Sequence, residues 1–181
     1  MTELLDFLNR LSTSRMAKAL PNKRIKGYPG GSASPYKAIL LLVVFQKIRN
    51  LEPDFKDGLI RYSNCVEGFD ILYRGLFGVE SVEKLHEKII QPFWNLGTGR
   101  PQLWKLIPNN DSGNDLSDRI LHRKQVKNLN ILSKLVNHAK LNPGDLALLR
   151  DEVANDAVRG FVITTHFQKQ GGTAFDLLAR I

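Results

Sequence analysis

Cysteine is nearly absent from this chain. Cys65 is the only one, so there is no internal disulfide and no cysteine-based zinc site. No His or basic residue lies beside it in sequence, which reads as a buried, inert thiol rather than a nucleophile. A single thiol fits a reducing compartment, and the expected location is cytoplasmic. Long hydrophobic runs are missing too. The longest, Ala38 to Phe45, is too short to span a bilayer, and Met1 to Arg15 carries scattered charges where a signal peptide would be apolar. Catalytic patterns are also lacking. His86, His122, His138 and His166 show neither the paired spacing of a helical zinc site nor an HNH nuclease pattern. There is no Gly-Lys-Ser/Thr phosphate loop. Asp54, Asp57, Asp115 and Asp118 read as helix caps rather than metal carboxylates. No catalytic residue, metal or cofactor is therefore expected.

Acidic residues are scarce. There are 18 Asp and Glu against 26 Lys and Arg, giving a net charge of +8 and a pI of about 9.7. Such a balance favours a polyanionic partner, nucleic acid first and an anionic membrane surface second. The excess is uneven. Residues 1–50 hold nine basic residues against Glu3 and Asp6, a net of +7. A second run is Arg119, His122, Arg123, Lys124 and Lys127. Either run also fits a solvated helix face. With 43% hydrophobic and 24% charged residues, the 181 residues read as one folded domain, 1–181.

Periodicity predicts a mainly α, compact helical domain. Leu4, Leu5, Phe7, Leu8 and Leu11 mark an N-terminal helix over 2–12, with Thr2 as cap. A basic loop follows over 13–34, long enough to be functional or disordered. Ser34-Pro35 starts a helix that runs to about Asn50 and is apolar nearly all round, hence central. One or two helices are expected over Phe55–Phe77, and another over Ser81–Ile90. Asn109 to Asp115 is expected to be a disordered tip, and Leu116 to Lys140 to be helical. Asn142-Pro143-Gly144-Asp145 breaks the pattern before one or two helices over Leu146–Phe167. Gly171-Gly172 introduces a short apolar tail.

Two segments stand out. Gln91-Pro92-Phe93-Trp94-Asn95-Leu96 and Gln102-Leu103-Trp104-Lys105-Leu106 flank a Gly-Thr-Gly-Arg-Pro turn, which predicts one small β-hairpin at about 92–107. Tyr28 to Lys37 is likewise Gly-rich, aromatic and basic. It can be a simple flexible turn, or a backbone able to approach a phosphate closely.

These blocks together resemble the sulfur-binding domain of McrA-type, type IV phosphorothioate-dependent restriction endonucleases. Pro35-Tyr36-Lys37-Ala38-Ile39-Leu40-Leu41-Leu42 resembles that family's basic, leucine-rich helix start. Gln91-Pro92-Phe93-Trp94-Asn95-Leu96 with Leu103-Trp104 resembles its Tyr-Pro-Phe-Trp-x-Leu block, and Asp145 to Phe167 its closing helices. The likeness covers roughly residues 30–168. It implies recognition of phosphorothioate-modified double-stranded DNA by a reader module of a restriction system. The reader itself is not an enzyme, and an HNH nuclease is fused to it or separate. No membrane partner is implied. Lys37 takes the place of the family's basic residue, and Tyr36 that of a His. Pro92 would line the sulfur pocket, with Gln91 in place of a Tyr and Asn95 in place of a small residue, which makes the pocket more polar. Tyr28, Gly30, Gly31 and Ser32 from the Gly-rich segment, and Arg100 from the turn, complete the expected DNA contacts. Two other readings compete. One is a general winged-helix-like module with the 92–107 hairpin as wing and no sulfur selectivity. The other is a metal-dependent nuclease using the acidic residues set aside above.

Overall fold

The structure, a computed structural model, describes residues 2–13, 35–78, 82–167 and 171–181. Element α1 is Thr2–Thr13 and α2 is Tyr36–Arg49; a 3-10 turn at Phe55–Asp57 leads to β1, Leu59–Ile60. Then come α3 (Tyr62–Phe77), α4 (Val82–Thr98), β2 (Lys105–Pro108), α5 (Gly113–Leu121) and α6 (Leu129–Leu135). The chain continues as β3 (Val136–Lys140), α7 (Pro143–Arg150), α8 (Glu152–His166) and α9 (Gly171–Leu178). The mainly α expectation holds.

Helix α2 is the centre. Every residue from Ala38 to Phe45 is at most 2% exposed, so the helix has no solvent face, as its unbroken apolar run requires. It packs on α3, α4, α7, α8 and the 3-10 turn. The buried Asn155 of α8 donates through Nδ2 to Phe45 O at 3.0 Å and Leu149 O at 2.6 Å, and Arg159 donates to Gln46 Oε1. These bonds fix α8 against the end of α2. Helix α1 docks through Phe7, edge-on to Phe45 at 5.9 Å, and through Arg10, which holds both carboxylate oxygens of the buried Asp145. Asn142 accepts from the Asp145 N–H at 2.8 Å and so caps α7.

The small sheet is antiparallel with order β1-β3-β2. Ile60, Ala139 and Leu106 are in register and buried, forming its inner face.

Three expectations change. The 92–107 hairpin is replaced by α4 running through Gln91–Leu96, with only Lys105–Pro108 extended. Ile89, Ile90, Phe93, Trp94 and Leu96 are all buried, so the apolar face begun before Ile90 continues at helical spacing. Pro92 forfeits one backbone bond, but its fixed φ is helical. Trp104 does not pair across a strand. Its Nε1 donates to Phe93 O at 3.1 Å, and Leu103 N to Leu96 O at 3.0 Å, closing the connection back onto α4. Residues 116–140 are not one helical stretch either: Val136–Lys140 is a strand, because it finds partners on both sides in β1 and β2. Asn109–Asp115 is ordered, a turn over 109–112 followed by the first residues of α5. Asn109 Nδ2 donates to Ser133 O at 2.5 Å and Ser112 Oγ to Lys134 O at 2.7 Å. Of the basic loop expected over 13–34, Thr13 ends α1 and residues 14–34 lie outside the described residues.

Two substitutions test these contacts. A Cβ on Gly97 would meet Leu106 Cδ2 at 2.6 Å and Trp104 Cδ1 at 3.0 Å. Gly97→Ala is therefore expected to cost about 1–3 kcal/mol in urea unfolding, by overpacking α4 against β2. Leu51 ends α2 with φ +54°, is 58% exposed, and its successor's N–H bonds Lys47 O at 3.1 Å. That position favours glycine. Leu51→Gly is expected to raise stability by about 0.5–1 kcal/mol, strain relief exceeding the added chain entropy.

Candidate nucleic-acid interface

The first turn of α2 reaches the surface with Tyr36 and Lys37, both half-buried. Tyr36 packs on α3, its ring 5.7 Å from that of Tyr73 and 6.3 Å from that of Phe69. Lys88 of α4 closes the cluster. Its Nζ lies 5.4 Å from the Tyr36 ring centroid, 4.9 Å from that of Tyr73, and 3.4 Å from Tyr73 Oη. Such cation–π contacts fix the ammonium over the two rings. Burial also lowers the pKa of Lys37, because removal from water disfavours its charged form.

On α4, Lys88, Gln91 and Asn95 sit at i, i+3 and i+7 and form one half-exposed stripe. Pro92 is buried beside it. Gln91 Nε2 donates to Val126 O, and Val126 is itself fully buried. This bond brings the 122–128 connection against the stripe, and with it part of the second basic run. Within that run Lys124 bonds Asp118 at 2.7 Å, a contact that holds the Asp118 carboxyl below the usual range. Arg119, Arg123 and Lys127 make no ion pair among the described residues, and Arg123 and Lys127 are exposed.

The expected residues therefore fall into three groups. Tyr36, with Lys37 next to it in the first turn of α2, meets the α4 stripe of Gln91 and Asn95 through Lys88. Arg100 is exposed beyond the end of α4. Tyr28, Gly30, Gly31 and Ser32 lie outside the described residues. The sequence reading missed Lys88 and the seat of Val126; helical spacing carried through Pro92 would have placed Lys88 beside Gln91. Without a 92–107 hairpin, the winged-helix reading loses its wing. Among the described residues no three His, Cys, Asp or Glu side chains could hold a metal ion, so the nuclease reading gains no support there. No described helix is long and apolar enough to cross a membrane.

No family model matches the sequence, and no curated protein matches it. A solved structure, the sulfur-binding domain of ScoMcrA complexed with phosphorothioated DNA, is similar with a TM-score of 0.57 and 18% identity, over 95% of this chain and 98% of that one. The chain thus has the fold of a McrA-type sulfur-binding domain.

Proposed function

We propose that this chain reads phosphorothioate-modified double-stranded DNA, as the reader module of a modification-dependent restriction system whose nuclease is fused or separate. The observation that carries the reading is the joining of the α2 start to the Lys88–Gln91–Asn95 stripe, within a fold shared with a domain solved on phosphorothioated DNA. Lys37, Lys88 and the cations of the 122–128 connection supply charge for the backbone. Tyr28, Gly30, Gly31, Ser32 and Arg100 add phosphate contacts, and Pro92 with its neighbours supplies sulfur selectivity.

A phosphorothioate keeps its negative charge, so cationic contacts retain their value. Sulfur is larger, more polarizable and a weaker acceptor than oxygen. It loses less on leaving water and gains more dispersion against apolar atoms. An ordinary phosphate oxygen stripped of water there loses hydrogen bonds, a penalty of about 1–3 kcal/mol. Gln91 and Asn95 favour a second reading, plain duplex binding without sulfur selectivity, because each offers a polar group to oxygen. A gel shift with one duplex, with and without a single phosphorothioate, separates the two. Tighter binding of the sulfur duplex is expected; equal affinity would reject the proposal.

Lys37→Ala is expected to weaken binding to both duplexes and to reduce the salt slope by about one unit. Since burial lowers the Lys37 pKa, its ammonium is lost earlier than an ordinary lysine's as pH rises. Affinity should decline on the alkaline side, and Lys37→Arg, charged throughout, should remove that decline.

Pro92→Ala is expected to reduce sulfur preference more than plain-duplex affinity. Alanine suits a helix interior, so the variant should fold normally. Asn95→Ala should keep or raise the preference. Full sulfur preference in a folded Pro92→Ala protein, measured by titration with both duplexes, would put the pocket elsewhere.

A further inference from the structure

The outer face of the sheet is basic. Ala139, Leu106 and Ile60 point into the core, so alternation sends Lys140 and His138, Lys105 and Ile107, and Leu59 to the opposite face. Lys105 and Lys140 are directly opposed across the strands, and both are exposed. Like charges at such positions are destabilising. No acidic residue occupies a strand position on this face; the nearby Asp54 is bonded to Arg61. His138 lies within the same field. Its pKa is lowered by burial and then by Arg61 and Lys140, with Asp54 acting the other way. Neither lysine makes an ion pair among the described residues.

We infer that the outer sheet face, through the opposed Lys105 and Lys140, is a second contact surface for the phosphodiester backbone of DNA, independent of sulfur. The inference rests on the DNA-binding reading above. An anion seated between two ammoniums on strands about 5 Å apart relieves their repulsion. This accounts for a pair that the fold alone gives no reason to keep. The half-exposed Ile107 and Leu59 flank the lysines, and no feature there distinguishes sulfur from oxygen.

The test is a salt titration of binding with the full chain and its Lys105→Gln/Lys140→Gln variant, on modified and unmodified duplex. The double variant is expected to lose about two units of salt slope, with affinity falling about tenfold or more at 0.1 M salt. The ratio between the two duplexes should stay unchanged. Each single variant should lose about one unit. A thermal melt at low salt supplies a DNA-free readout: the double variant should melt no lower than the parent, since a repulsion has been removed. Unchanged affinity and slope in a double variant of a parent that binds DNA would overturn this inference alone. A parent with no affinity for either duplex would overturn the DNA-binding reading itself.

Discussion

The complete burial of α2 is the constraint on which the rest depends. A helix with no polar face cannot tolerate water on any side, so α3, α4, α7 and α8 must each turn an apolar surface to it. Side chains of this kind contribute about 1.5–3 kcal/mol each when fully buried. What polarity remains at its far end is satisfied inside, by Arg159 on Gln46 and Asn155 on the Phe45 carbonyl. Both ends of the helix are spared: the last turn carries Lys47 and Arg49, paired with Glu52, Glu152 and Asp156, and the first turn carries Tyr36 and Lys37 to the surface. The position of the candidate interface is thus a consequence of core packing. Lys88, held over two tyrosine rings, then fixes the middle of α4 beside that turn.

Much of this was legible from the residues. The all-apolar run from Ala38 to Phe45 announced a central helix; Asn142-Pro143-Gly144-Asp145 announced a break, although α7 already starts within it at Pro143. The misread parts share a cause: local signals were overruled by tertiary partners. Gly97 to Pro101 reads as a hairpin turn, yet Phe93, Trp94 and Leu96 bury more completely by continuing a helix. Val136 to Lys140 carries no strong strand signal, and becomes the central strand because β1 and β2 both need a partner. The site suffered from the same error. Treated as a strand, Gln91 and Asn95 share a face with Phe93; on a helix they share one with Lys88, and Phe93 goes to the core.

The charge distribution adds a division of labour. Arg10 and Arg49 hold carboxylates of other helices and tie elements together, while Arg74 and Arg159 hold carboxylates of their own helices. Between residues 100 and 140 the pattern differs. Arg100, Lys105, Arg119, Arg123, Lys127 and Lys140 make no ion pair among the described residues, and Lys124 is the cation there that does. A net charge of +8 is therefore not spread evenly over a solvated surface. Residues 1–50 carry +7 of it, and among the described residues the unpaired cations of 100–140 add basic character to the 122–128 connection and the sheet, where a polyanion would find it.

Amide NMR of the labelled protein, titrated with a duplex carrying one phosphorothioate, tests the central claim most directly, because it locates the DNA without altering any residue. The account predicts the largest shifts at Tyr36 and Lys37, along α4 from Lys88 to Asn95, and in the 122–128 connection, with α7 and α8 quiet. Shifts concentrated on α7 and α8, with the α2 start and the α4 stripe unmoved, would contradict it.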